Sequence, residues 1–149
     1  MAADETAGRP AAPTSYRVQA RALGDGRAEA TAAAAVIPFD ASWEGPPSGL
    51  PGPAELLASA FAACLLKNVE RVGRLMPFRY RGAAVDVTMR RQDRPPKFTE
   101  IVYELRLVTD EPERRVELLH QNLRRFGTVY NTLAAACAID GRIVTTPPG

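Results

Sequence analysis

Residues 51 to 76, PGPAELLASAFAACLLKNVERVGRLM, constrain the fold more than any other stretch, because they read as one long helix that is apolar almost all round. Pro53 stands where a first helical residue belongs, since its missing N–H is an orphan donor there anyway, and Pro77 stops the run. Leu57, Phe61, Cys64, Asn68 and Arg71 recur at spacings of three and four, which puts a thiol among large apolar side chains on one face. Leu56, Ala60, Ala63 and Leu66 fill most of the remaining circumference. Beyond Glu55 in the first turn, charge is confined to the last two turns, from Lys67 to Arg74. Such a helix is expected to be buried nearly all round, and so needs cover on more than one side.

A chain of 149 residues suits one domain with a sizeable core. A net charge of +2, with arginines spread among acids, gives no argument for nucleic acid. The two cysteines are far apart, there is a single histidine, and no C-x-x-C or H-x-x-x-H pattern occurs, so a metal centre or other cofactor has no support. The first fifteen residues, MAADETAGRPAAPTS, lack the apolar core of a secretory signal, and no uncharged apolar run reaches spanning length. A cytoplasmic protein with no membrane partner is expected, its thiols resting reduced.

Residues 1 to 14 read as a flexible tail, 15 to 145 as one domain and 146 to 149 as a short C-terminal tail. Tyr16 to Ala22 alternates as a strand, Gly24-Asp25-Gly26 supplies a hairpin turn, and Arg27 to Ile37 reads as the returning strand. The loop from Pro38 to Gly52 brings Trp43 and Glu44 towards the start of the long helix. Tyr80 to Arg91 and Phe98 to Val108 are the two clearest strands, the second with Ile101, Tyr103, Leu105 and Leu107 facing inward. Asp110, Pro112 and Glu113 open a helix continued by Val116, Leu119, His120 and Leu123 and ended at Gly127. Thr128 can cap a second helix, Val129 to Ala135, and Cys137 to Thr145 closes the chain as a strand. The pattern is that of an α+β fold with antiparallel sheets around a long central helix. One sheet with a single dry face cannot cover both sides of such a helix, whereas a homodimer that packs two of them together would, so a homodimer is expected on burial grounds.

Two stretches resemble a known family. PGPAELLASAFAAC is similar to the N-P-x-E-L-L-x-A-x-x-x-C signature of the OsmC/Ohr superfamily, and RRFGTVYNTLAAA resembles its second signature, Y-C-P/T-V-S-N-x-L followed by a short helix. With the strand order around them, the resemblance spans roughly residues 15 to 145. It implies an intertwined homodimer with the two long helices at its centre. It also implies a thiol peroxidase that reduces small apolar organic hydroperoxides at the dimer interface and is regenerated by an external thiol. The peroxidatic cysteine falls on Cys64. The peroxidase branch keeps its resolving cysteine where this chain has Gly127 and its catalytic glutamate where this chain has Ala54, and its hairpin arginine falls near Gly24, between Arg21 and Arg27. Glu at the second position after proline, here Glu55, matches instead an OsmC-like branch that carries P-x-E-L-L.

A thiol attacks peroxide as thiolate, which an apolar helix face disfavours, so a cation or hydrogen-bond donor must offset the desolvation. Lys67, Arg71, Arg21, Arg27 or a partner-subunit residue are the candidates. Glu55 lies about half a turn out of phase with Cys64 and cannot reach it along a regular helix. Without the resemblance, Cys64 is more often a structural buried cysteine; with it, a reactive thiol is as well supported. Cys137 reads as core, or as a displaced resolving thiol if its Cα comes within about 7 Å of that of Cys64. Trp43, Phe61 and Phe126 could line an acyl pocket, though aromatic residues so placed are commonly core. A non-catalytic small-molecule-binding dimer and a scaffold are the alternatives to the peroxidase.

Overall fold

The computed structural model describes residues 14–149, so all but the last residue of the expected N-terminal tail lies outside the described residues. The chain divides into two compact units, one ending at Gly52 and one running from Pro53 to Gly149.

The first unit is a three-stranded antiparallel sheet in the order β1 (Val18–Gly24), β2 (Arg27–Ala32), β3 (Ala35–Asp40). Gly24, Asp25 and Gly26 all adopt positive φ, as the turn between β1 and β2 requires. The run from Arg27 to Ile37 is not one strand but two. It folds back at Ala33-Ala34, with Ala33 at φ 52°, and Ala32 pairs with Ala35. A turn built of alanines carries no Gly, Asn or Asp to mark it, so here the pairing of β3 along β2 overrides local preference. β3 also takes Pro38 to Asp40 from the expected loop. Asp40 organises what remains. Its carboxylate accepts bonds from the hydroxyls of Ser42 and Ser48 and from the Ser42 N–H, which hold its pKa down at about 2. β1 is exposed along its whole length, and Val18, Leu23, Val36 and Ile37 all show to solvent.

The second unit is built on α1 (Pro53–Leu75), within the expected bounds. Its buried residues, Phe61, Leu65, Val69 and Val72, form one stripe, while Ala60, Ala63 and Lys67 are exposed. The expectation of burial all round is therefore not met within one chain. The stripe packs on a sheet in the order β4 (Gly82–Asp93), β5 (Pro96–Val108), β6 (Ala138–Thr146). β5 lies in the middle, with Ile101, Tyr103, Leu105 and Leu107 all inward and buried as their alternation predicts. Fully burying each such side chain contributes about 1.5–3 kcal/mol. Outward, Arg90–Glu100, Arg106–Asp86 and Arg142–Glu104 pair across the strands, and Arg106 also meets Glu104 along β5.

β4 and β5 are antiparallel, but β6 runs parallel to β5, so this sheet is mixed rather than antiparallel. The reason is the intervening α2 (Glu113–Phe126) and α3 (Thr128–Ala134), which form a crossover returning the chain to the same end of the sheet. Thr128 is the first residue of α3 rather than its cap, and Cys137 precedes β6 rather than opening it. Thr146 belongs to β6, so the tail is shorter than expected. Among the described residues no helix is long and apolar enough to cross a membrane.

Gly141 pairs with Tyr103 in the β5–β6 register, and a Cβ there would lie 2.2 Å from the Tyr103 ring. The ring occupies the space a side chain would need. Gly141→Ala is therefore expected to destabilise the protein by about 1–3 kcal/mol or more through overpacking, read as a fall in the urea midpoint. An unchanged midpoint would show that the ring moves freely.

Candidate functional site

Cys64 precedes Leu65 on α1, so the helix places it at the edge of the buried stripe, half-buried and reduced. One turn on, the Asn68 side-chain amide donates to the Cys64 carbonyl at 2.9 Å and reaches the Cys64 sulfur at 3.6 Å, a hydrogen-bond distance for a sulfur acceptor. The junction of α2 and α3 lies against the same sulfur. Gly127 sits there in an extended conformation, φ −73° and ψ 117°, and is itself buried. A Cβ built on Gly127 would lie 3.1 Å from the Cys64 sulfur and 2.9 Å from the Cβ of Tyr130. The position at which the resemblance expects a resolving cysteine thus faces the thiol, and this chain leaves it without a side chain.

One residue earlier, the half-exposed Phe126 ring lies between two guanidiniums. That of Arg71 is 5.0 Å and that of Arg125 is 5.2 Å from its centroid. Arg71 shares the helix face of Cys64 and Asn68, so cation–π contact holds this charge beside the junction. Phe61 is wholly buried, 5.7 Å from Tyr130 and 5.8 Å from Tyr103 between ring centroids. Behind it, the Tyr103 hydroxyl and His120 Nε2 share a 2.6 Å hydrogen bond. Burial pushes the Tyr103 phenol up to about 12, and burial together with the Arg124 charge lowers the His120 pKa.

The remaining expected residues are placed as follows. Lys67 is exposed on α1, and Glu55 is exposed in its first turn. Cys137 lies between α3 and β6, half-buried, its thiol donating to the Leu133 carbonyl at 3.4 Å. Arg21, Arg27 and Trp43 belong to the first unit, where Arg21 pairs with Glu29 at 2.6 Å and the Trp43 side chain is 96% exposed. Among the described residues no cluster of three or more His, Cys, Asp or Glu could hold a metal. Asn68 is the residue that sequence reasoning passed over as a donor. Its spacing of four from Cys64 was the available signal.

The profile of the OsmC-like protein family matches residues 45–141, which include both the thiol helix and the Gly127 junction. The chain belongs to the OsmC-like family. Solved structures agree in fold. An OsmC-like protein from Mycoplasma pneumoniae is 19% identical with a TM-score of 0.81, the match covering 89% of this chain and 98% of that one. An osmotic stress induced and detoxification response protein from Psychrobacter arcticus, so described provisionally, is 17% identical with a TM-score of 0.76, covering 91% and 100%. An organic hydroperoxide resistance protein OsmC from Legionella pneumophila is 15% identical with a TM-score of 0.71, covering 88% and 98%. No curated protein matches the chain in sequence.

In this OsmC-like chain the Tyr103–His120 pair supports the aromatic layer beneath the thiol helix, and its linkage has a definite sign. His120 has a folded pKa below its unfolded value of about 6.5, so the unfolded chain binds the additional proton as pH falls. The stability tied to neutral His120 is complete above that value and is lost progressively below it. Urea midpoints measured from pH 7.5 to 5 should decline, and His120→Gln should flatten that part of the slope. An identical slope in the variant would mean that other groups carry the acid sensitivity.

Proposed function

We propose that this protein is a thiol-dependent peroxidase for organic hydroperoxides, acting through Cys64 in a cytoplasmic homodimer. The observation that carries the reading is the Cys64 sulfur at the α2–α3 junction, faced by the Asn68 amide and by the bare Gly127 position. Family membership and the organic hydroperoxide resistance protein among its structural relatives agree with it. The dimer is supported by the apolar surface one chain leaves uncovered, on Ala60 and Ala63 of α1 and along β1.

In this mechanism the Cys64 thiolate attacks one peroxide oxygen. The S–O bond forms as the O–O bond breaks, the alkoxide leaves and takes up a proton as the alcohol, and Cys64 becomes a sulfenic acid. An external thiol attacks that sulfur, releasing water and leaving a mixed disulfide. A second thiol equivalent then releases the oxidised reductant as a disulfide and returns the Cys64 thiol. With glycine at 127, the external thiol does what a resolving cysteine would do from that position. Asn68 offers its N–H to the sulfur that carries the charge before attack, and Arg71, held over Phe126, adds positive charge near the junction.

Treatment of the purified protein with cumene hydroperoxide should consume one thiol per chain much faster than a free cysteine reacts, and Cys64→Ser should abolish that phase. A Cys64 no faster than free cysteine sinks the peroxidase and favours the non-catalytic binding dimer. Gly127→Cys supplies a second test. In a disulfide the Cβ of one cysteine lies about 3 Å from the partner sulfur, given an S–S bond of about 2.04 Å. The 3.1 Å separation here matches that need. Peroxide should therefore drive a disulfide between Cys64 and the introduced thiol in this variant, seen as loss of two thiols and a mass lower by two hydrogens. If diamide closes this disulfide in the folded variant and peroxide does not, the sulfenic acid does not arise at Cys64.

A further inference from the structure

A cavity of about 440 Å³ opens beside the C-terminal end of α1, with Arg79, Arg81 and Asp110 at its polar side and Phe78 and Val108 among its apolar walls. Its volume falls in the range of small-molecule sites, about 300–1,000 Å³. It is separate from the thiol. Glu70, the lining residue of α1 nearest Cys64 in sequence, is about 9 Å further along the helix axis, and neither Cys64 nor Phe126 lines the cavity.

The wall that presents the two arginines is fixed in advance. Thr109 Oγ1 donates to the Arg79 carbonyl at 2.6 Å, the Glu111 carboxylate accepts the Arg79 N–H at 2.9 Å, and the Arg81 N–H donates to the Val108 carbonyl at 2.8 Å. Arg115 donates to the carbonyls of Met76 at 2.5 Å and Pro77 at 2.9 Å. Together with the Met76 N–H on the Val72 carbonyl and the Phe78 N–H on that of Gly73, these bonds occupy carbonyls at the negative end of α1 that would otherwise oppose an anion. The backbone is thus committed, while the Arg79 and Arg81 guanidiniums make no hydrogen bond or ion pair among the described residues. The acid of the cavity on α1 is already satisfied. Glu70 accepts from the Tyr80 hydroxyl at 2.8 Å and from Arg74 at 3.1 Å, which hold its carboxyl below its usual range. Two guanidiniums against the single carboxylate of Asp110 leave the mouth positive.

We propose that this cavity binds a small molecule carrying an oxyanion headgroup, carboxylate or phosphate, on a short apolar body. Arg79 and Arg81 take the headgroup, whose planar or tetrahedral oxygens match the guanidinium fork, and Phe78 and Val108 take the body. This site is independent of the chemistry at Cys64.

The test is calorimetric titration of the full-length protein with hexanoate, hexyl phosphate and the neutral hexanamide. Hexanoate or hexyl phosphate should saturate one site per chain, and the tighter of the two identifies the headgroup. Binding should weaken about tenfold or more in the Arg79→Gln/Arg81→Gln double variant, with an unchanged thermal midpoint. Hexanamide binding the wild type as tightly as hexanoate and hexyl phosphate would overturn the proposal without recourse to any variant. So would undiminished affinity in the double variant, or no saturation by either anion.

Discussion

The packing of one α1 stripe, Phe61, Leu65, Val69 and Val72, on the inward row of β5 is the contact on which the second unit depends. The helix stripe repeats every three or four residues and the strand row every two, so each element turns one apolar row into the shared core, where Phe61 meets Tyr103. Once β5 is covered, β6 can only join on its free edge, because β4 occupies the other by hairpin pairing. Reaching that edge in the parallel sense needs a crossover, and α2 and α3 supply it. The junction between them then falls against the α1 face that carries Cys64. The position of the thiol site is a consequence of how the strip of core is closed.

Two glycines serve opposite ends of this arrangement. Gly141 yields its side-chain space to the Tyr103 ring, which lets a large aromatic sit in the central strand and reach His120. Gly127 yields its space to the Cys64 sulfur and to Tyr130. Tyr130 stacks on Phe61, and Phe61 meets Tyr103, so the two vacated spaces are joined by a continuous aromatic layer. A larger residue at either glycine would press on that layer from one side. The Tyr103–His120 bond behind the layer is neutral on both sides at ordinary pH, which is how two titratable groups can rest behind a fully buried phenylalanine.

Much of this was legible in the sequence, for reasons that differ by element. The bounds of α1 were set by prolines at both ends, and β5 by an uninterrupted alternation from Ile101 to Leu107, signals that tertiary structure had no cause to override. The split between β2 and β3 was not legible, because alanine at 33 and 34 neither favours a turn nor forbids a strand. The parallel sense of β6 was missed because strand alternation says nothing of direction. Only the length of the crossover does. At the site, Cys64 and position 127 could be named from motif spacing. That a Cβ at 127 would come within reach of the sulfur, and that Asn68 rather than Lys67 faces it, depend on helix phase and on the α2–α3 turn, which no single spacing encodes.

The unevenness of burial in one chain bears on how the thiol chemistry is completed. α1 has a sealed stripe and, opposite it, alanines open to solvent, while β1 is exposed on both its faces. Small residues on an open helix face permit close approach of a second helix, and an uncovered strand bearing Val18 and Leu23 has apolar area to bury. In the proposed homodimer a second copy would bring apolar surface to these exposed residues. The same step would exclude water from the side of α1 that carries Lys67, next to the face of Cys64. A drier surrounding there would strengthen the Asn68 hydrogen bond aimed at the sulfur.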